Sequence, residues 1–122
     1  MTDAIATKSP NIFKVTSREV FEQSREAGSF IGMPIDRADG YVHFSTASQL
    51  AETLRLHFAG ENDLVLFAVD PGPLGDALKW EASRGGALFP HLYGALPMTA
   101  VGEASPIAVE ADGSVELPEW AR

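Results

Sequence analysis

Residues 64–69, LVLFAV, are six consecutive apolar residues with no polar side chain between them. A strand with one face in water alternates apolar and polar residues, so an uninterrupted apolar run predicts a central strand that is buried on both faces. The same run is too short to cross a bilayer as a helix. We therefore expect a sheet with this strand at its centre and no membrane-spanning helix.

The amino-terminal part of the chain predicts a tail, a short strand and a helix. Residues 1–11 are polar, lack the apolar core of a signal peptide and are expected to form a flexible tail, and a strand is expected at residues 12–15. Thr16 and Glu19 have the spacing of a capping box, in which each side chain accepts from a backbone amide. Apolar residues then recur on one helical face, which predicts a helix over residues 17–27.

The segment just before the buried strand predicts a loop, a strand and a second helix. Glycine, proline and aspartate are concentrated between residues 32 and 40, which favours a loop. The following strand points Tyr41, His43 and Ser45 to one face. A second capping box, Thr46 with Gln49, opens a helix that is expected to close at Gly60. Its apolar face is expected to cover the buried strand through Leu50, Leu54 and Phe58.

The second half of the chain is rich in predicted strands. Residues 78–82 and 86–89 predict two strands, in which Lys79 and Glu81 share one face and Trp80 packs inward. Residues 90–94 are expected to be irregular. Strands are also predicted at 98–103 and 107–110, and Asp112-Gly113 is typical of a hairpin turn, placed within a hairpin over residues 105–117. The expected fold class is α+β, with residues 12–122 forming one domain.

Composition limits the kind of ligand. The chain has 17 acidic and 9 basic residues, a formal net charge of −8, whereas nucleic-acid binders usually carry a basic surface. No cysteine is present, which excludes disulfides, thiol nucleophiles and cysteine-bound metals. The three histidines, His43, His57 and His91, lack the spacing of metal ligands, so no metal is expected. These features predict a cytoplasmic protein whose partner is a small molecule, and they leave its oligomeric state open.

The junction between the strand at 41–45 and the second helix is one candidate site. Amides that open a helix are unpaired and lie at the positive end of its dipole, and Ser45 and Thr46 place hydroxyl groups beside them. His43 points to the same face as Ser45, which completes a set of donors suited to a phosphate or another anion. The alternative is that Thr46 is only a helix cap and His43 an ordinary hydrogen-bonded strand residue.

Two other groups of residues can supply chemistry. Glu81 can act as a general base or bind sugar hydroxyls, and its alternative role is an exposed ion pair with Lys79. His91 and Tyr93 lie in FPHLYG, a stretch dense in aromatic residues, where His91 can donate a proton and Tyr93 can stack on a ligand. The alternative is a packed loop in which Phe89 and Tyr93 serve as anchors.

Three motifs together carry a resemblance to a known family: DGYVHFST at residues 39–46, KWE at 79–81 and FPHLYGALP at 89–97. Over residues 12–103 the chain resembles a bacterial family of unknown function, number 952 in its series. That family looks like a compact relative of the ADP-ribosyltransferase superfamily, which includes RNA 2′-phosphotransferase. The resemblance implies a split mixed or antiparallel sheet with two helices, and NAD or a related phosphorylated nucleotide as substrate or ligand.

The resemblance also implies roles for the candidate residues within one cleft. Lys14, where the superfamily usually has a histidine, and His43 would hold ribose and pyrophosphate, with Ser45 and Thr46 among the ligand-binding residues. Tyr93 would stack on the base or the nicotinamide. Glu81 would stabilise positive charge as nicotinamide leaves, in an ADP-ribosyltransferase-like or phosphotransferase-like reaction, with His91 as the third catalytic residue. The alternative is a non-enzymatic small-ligand sensor or protein-interaction module that keeps the fold without the catalysis.

Overall fold

The computed structural model describes residues 10–30 and 32–122, which form an α+β fold with three antiparallel sheets. The predicted tail therefore lies, for residues 1–9, outside the described part of the chain. In chain order the strands and α-helices are β1 (Ile12–Ser17), α1 (Arg18–Ala27), β2 (Ser29–Phe30), α2 (Pro34–Asp39), β3 (Val42–His43), α3 (Ala47–His57), β4 (Leu64–Val69), β5 (Leu78–Ser83), β6 (Ala87–Leu92), β7 (Leu96–Pro97) and β8 (Val101–Ile107).

The central strand is β4, as the apolar run predicts. It pairs with β1 on one side and β8 on the other, and all six of its side chains are buried. Alternate residues enter two different clusters: Phe67 packs against Phe21 of α1, and Leu66 packs in the cluster that contains Leu50 and Leu54 of α3. Because a helix covers each face of β4, each of its side chains is buried away from water. This explains why apolar and polar residues do not alternate along the strand. None of the helices described is both long and apolar enough to span a membrane.

Both predicted helices form, and the first begins one residue later than its predicted capping box implies. Ser17 is the N-cap of α1, and its hydroxyl accepts a hydrogen bond from the Val20 amide at 3.2 Å. Thr16 is instead the fifth residue of β1, where its hydroxyl is buried without a hydrogen-bond partner among the described residues. The cap of α3 is confirmed, because the Thr46 amide donates to Gln49 Oε1 at 3.0 Å.

The segment expected to be a loop contains a third helix, α2. Pro34 occupies its first position, where the missing N–H group has no intrahelical partner to lose, and Gly40 ends it with a left-handed backbone at φ 88°. Six residues are too few for an apolar period to emerge, and proline, aspartate and glycine are typical of turns. The expectation of two helices was wrong for this reason.

The strands of the second half form with changed boundaries. β5 and β6 pair as predicted, but β6 continues to Leu92, so residues 90–92 are extended and not irregular. The side chain of Trp80 is not packed inward, since 48% of the residue is exposed on the edge strand β5. A single strand, β8 (Val101–Ile107), forms where two strands were predicted at residues 98–103 and 107–110. Asp112-Gly113 does form a turn, in which Glu110 accepts from the Gly113 amide at 2.9 Å, but the predicted hairpin is wrong because residues 108–117 contain no strand.

The two three-stranded sheets meet at a single point. Phe13 of β1 and Ser45, just after β3, form an isolated antiparallel bridge with backbone hydrogen bonds of 2.8 and 2.9 Å. Beyond the bridge β3 leaves β1 and pairs with β6, where His43 lies opposite His91. A gap therefore opens between the sheets, lined by Lys14 on one side and by His43 on the other.

Candidate functional site

A cavity of about 560 Å³ occupies this gap, a volume within the range of small-molecule sites. Its lining comes from β1, α2, β3, α3, β6 and the end of β5. Four of the predicted site residues line it, namely Lys14, His43, Ser45 and His91. The other three, Thr46, Glu81 and Tyr93, lie outside the lining. Much of the rest of the wall is apolar and comes from Phe13, Val15, Met33, Ile35, Phe44, Leu50, Phe58 and Phe89.

Lys14 forms a buried ion pair at the polar end of the cavity. Its Nζ lies 3.0 Å from Asp36 Oδ1, and the two side chains are 7% and 0% exposed. Burial lowers the pKa of Lys14, although the charge of Asp36 acts in the opposite direction. The lysine that stands on the first strand is therefore held by a carboxylate from α2, across the gap between the sheets.

Asp36 is the centre of this polar network. Its Oδ2 accepts from the Met33 amide at 2.7 Å, and its Oδ1 accepts from the His43 amide at 3.0 Å, from His43 Nδ1 and from Lys14. Burial on its own raises the pKa of a carboxyl, but the hydrogen bonds from His43 and the charge of Lys14 outweigh it and lower the pKa of Asp36 to about 2. The carboxylate is consequently ionised at neutral pH.

Asp36 is not among the predicted site residues, because it lies in a segment that composition assigns to a loop. A local signal was present: an aspartate two residues after Pro34 can accept from the amide that precedes the helix, as it does from Met33. That signal identifies a helix cap. It does not indicate that the second oxygen of the same carboxylate binds Lys14 and His43.

The low pKa of Asp36 predicts a contribution to stability that depends on pH. The pKa in the fold, about 2, lies below the ordinary value of 3.8, so the contribution is complete above about pH 4 and is lost as the pH falls towards 2. The contribution of the ionised Asp36 carboxylate to the free energy of unfolding is about 2 kcal/mol. Urea unfolding of the wild type and of Asp36→Asn between pH 2 and 6 measures it. The difference in the free energy of unfolding between the two proteins should become smaller as the pH falls. A difference that does not change with pH would contradict the low pKa of Asp36.

His43 bridges the two aspartates of α2. Its Nδ1 contacts Asp36 Oδ1, and its Nε2 lies 3.0 Å from Asp39 Oδ2. A carboxylate only accepts hydrogen bonds, so both contacts are hydrogen bonds only when the ring carries a proton on each nitrogen. In this arrangement neither ring nitrogen of His43 is directed at a ligand or at the start of α3.

The start of α3 has internal partners for several of its polar groups. Ser45 Oγ lies 2.9 Å from Thr53 Oγ1, and Thr46 Oγ1 lies 3.2 Å from Ser48 Oγ. The Thr46 amide is bound by the Gln49 side chain. The anion site expected here stays a prediction, and the hydrogen-bonded cap that was its alternative is present.

Glu81, His91 and Tyr93 form a second polar network, in which His91 lines the cavity and the other two residues lie outside the lining. Glu81 Oε1 lies 2.8 Å from His91 Nδ1, and the Tyr93 hydroxyl donates to the two carboxylate oxygens at 2.8 and 3.1 Å. The hydrogen bonds from His91 and Tyr93 lower the pKa of Glu81, and the bond to Glu81 raises the pKa of Tyr93. The hydrogen-bond partners of Glu81 are thus residues of the candidate site, and not Lys79 as the ion-pair alternative holds.

Tyr41 connects the two polar networks. Its ring stacks on that of His91 with 4.2 Å between centroids, and it lies 4.6 Å from the ring of His43 and 5.2 Å from that of Tyr93. The structure therefore brings His43, Glu81, His91 and Tyr93 together around one aromatic side chain. The sequence places Tyr41 on the same strand face as His43, but only the pairing of β3 with β6 puts it against His91.

Comparisons with known proteins relate both sequence and structure to one family. Residues 15–104 match the family described as Protein of unknown function (DUF952). The crystal structure of protein CC0527 from Caulobacter crescentus is similar, with a TM-score of 0.82 and 43% identity over 87% of this chain and 93% of that one. The solution NMR structure of CC0527 has a TM-score of 0.75 and 45% identity over 86% and 90% of the two chains. No protein with a curated function matches.

Proposed function

We propose, for a chain that belongs to the DUF952 family of proteins of unknown function, that the cavity binds NAD or a related phosphorylated nucleotide. The observation that carries this proposal is the buried ammonium group of Lys14 in the cavity wall. An ammonium has three N–H donors, and the described residues provide one acceptor for them, Asp36 Oδ1. An unsatisfied buried donor costs about 1–3 kcal/mol, so a ligand rich in oxygen atoms is favoured at this position.

The remainder of the cavity suits a flat ring joined to a polar group. Its apolar wall includes Phe13, Phe44 and Phe89, which can cover a purine or nicotinamide ring. At the polar end Asp36 is already paired with Lys14, and the His43 ring lies between Asp36 and Asp39. A phosphate entering there meets carboxylates that are already paired.

We take the two three-stranded sheets, joined at one bridge and separated by a ligand cavity, to be the ADP-ribosyltransferase-like arrangement that the resemblance implies. Two functions fit such a cavity: an enzyme that releases nicotinamide from NAD, and a sensor that binds a nucleotide without changing it. The second is favoured by His43, both of whose ring nitrogens contact aspartates.

Nucleotide binding is expected to depend on Lys14. NAD and ADP-ribose should raise the melting temperature of the wild type in a saturable way, because a ligand that binds the folded state stabilises it by mass action. In Lys14→Met the rise, measured from the melting temperature of that variant, should be lost. Lys79→Met is the matched control, since Lys79 is an exposed lysine outside the cavity lining. No rise in the wild type, or an equal rise in Lys14→Met, would contradict the proposal.

Turnover is expected to depend on Glu81 and separates the enzyme from the sensor. If the protein is an enzyme, incubation with NAD should release nicotinamide slowly and saturably, and Glu81→Ala should abolish the release, because this carboxylate holds His91 and Tyr93 beside the cavity. Chromatography of the free nicotinamide measures it. Binding without release identifies the sensor, and release that is unchanged in Glu81→Ala removes Glu81 from the reaction.

A further inference from the structure

We infer that His91 is the proton-accepting group of the cavity, that it presents an unprotonated Nε2 to a hydroxyl group or a water molecule, and that Glu81 and Tyr93 are its positioning residues. This inference rests on the proposed function in one respect, namely that the cavity is the ligand site. The protonation pattern of His91 follows from contacts within the protein and can be tested without a ligand.

The contacts of Glu81 with Tyr93 and His91 determine which ring nitrogen of His91 carries the proton. Tyr93 donates its hydroxyl hydrogen to both oxygens of Glu81, and these oxygens are therefore acceptors. An ionised carboxylate has no hydrogen to give, so the 2.8 Å contact between Glu81 Oε1 and His91 Nδ1 is a hydrogen bond donated by Nδ1. A neutral imidazole carries one N–H group, and Nε2 is then left with a lone pair.

The position of His91 in the cavity wall gives the direction of the Nε2 lone pair. His91 lines the cavity, whereas Glu81, which binds the Nδ1 side of the ring, does not. The other side of the ring is thus the one that a molecule in the cavity meets. No hydrogen bond between described residues uses Nε2, and the histidine side chain is only 5% exposed. A basic nitrogen at this position accepts its hydrogen bond from a molecule that occupies the cavity.

The other histidine of the cavity wall, His43, makes different ring contacts. His43 lies directly opposite His91 on the neighbouring strand, but both of its ring nitrogens are bound to aspartates of α2. Neither ring nitrogen of His43 is therefore free to accept a hydrogen bond from a molecule in the cavity. The stacked ring of Tyr41 fixes the plane of His91, and the remaining polar neighbour in register is Lys79 on β5. Of the two facing histidines, His91 is the base.

The chemistry available to such a nitrogen is the activation of an O–H group. With NAD as ligand, the oxygen of a water molecule would form a bond to the ribose carbon that bears the nicotinamide. The bond between that carbon and the ring nitrogen would break, and nicotinamide would leave as a neutral molecule with the electron pair. The proton of the attacking water would move to His91 Nε2. Glu81 would act through His91 by holding the tautomer, and not by contact with the ligand.

The test is nitrogen NMR of the histidine rings in the full chain, recorded without ligand at a pH where imidazole is neutral. We expect a protonated Nδ1 and an unprotonated Nε2 for His91. In Glu81→Ala the His91 proton should redistribute towards Nε2, whereas Glu81→Gln, which keeps an oxygen acceptor, should retain the wild-type pattern. Lys79→Ala is the control on the same strand and should change nothing.

The outcomes separate this inference from the proposed function. A His91 proton on Nε2 in the wild type, or a pattern that Glu81→Ala leaves unchanged, overturns the inference. If the NMR results are as expected but no nucleotide shifts the melting temperature, the proposed function fails and His91 remains the base of a cavity for another hydroxyl-bearing ligand.

Discussion

Asp36→Asn is expected to lower the free energy of unfolding at neutral pH by about 3–5 kcal/mol, because it leaves the buried ammonium of Lys14 without a counter-charge. Asparagine has nearly the same shape and keeps an oxygen that can accept from the Met33 amide. The loss therefore reports the missing charge together with the acceptor that Lys14 and His43 lose, and not a change in the size of the side chain. Urea unfolding monitored by circular dichroism measures it.

Two further variants make this expectation specific. Asp39→Asn removes the other aspartate bound to His43, but its side chain is 43% exposed and the loss should stay within about 1 kcal/mol. The double variant Lys14→Met, Asp36→Asn removes both charges of the buried pair and should be more stable than the sum of the two single losses predicts. Equal losses for Asp36→Asn and Asp39→Asn would show that the Lys14 ion pair contributes little.

Leu66→Ala is expected to lower the free energy of unfolding by about 2–5 kcal/mol, through the lost burial of the side chain and the cavity that it leaves. Leu66 lies in the middle of β4, is fully buried and packs in the cluster beneath α3. The matched control is Leu56→Ala on α3, where the residue is 45% exposed and the loss should be about 0.5 kcal/mol or less. A loss below about 1 kcal/mol for Leu66→Ala would contradict the central position of β4.

The features that the sequence predicts correctly are those whose cause is local. The apolar run of β4 reports burial on both faces through composition alone, and Thr46 with Gln49 caps α3 through atoms three residues apart. The apolar spacing of Leu50 and Leu54 likewise follows from the helical period. Each of these patterns has one common structural solution, which is why it can be recognised without knowing its neighbours.

The errors occur where two local solutions compete. Thr16 and Ser17 can both cap a helix, and Ser17 is the cap because it is the last residue of β1, directly before α1, whereas Thr16 lies one position inside the strand. Trp80 alternates with two charged residues and should point inward by periodicity, but β5 is an edge strand, and that face is left partly open. Sheet order is a tertiary property, and no local pattern contains it.

The contacts within the candidate site depend on how distant parts of the chain pack together. Sequence patterns are enough to predict that β4 is buried on both faces and that helices cover it, and they identify the chemically capable residues Lys14, His43, Glu81, His91 and Tyr93. They do not determine the partners of these residues, because Lys14 and Asp36 are 22 residues apart and meet only when α2 packs across the gap between β1 and β3. In the same way His91 becomes a base candidate only when strand pairing sets Glu81 against one side of its ring. Burial is encoded in composition and period, whereas a hydrogen bond needs two particular atoms within about 3 Å, which the fold alone can arrange.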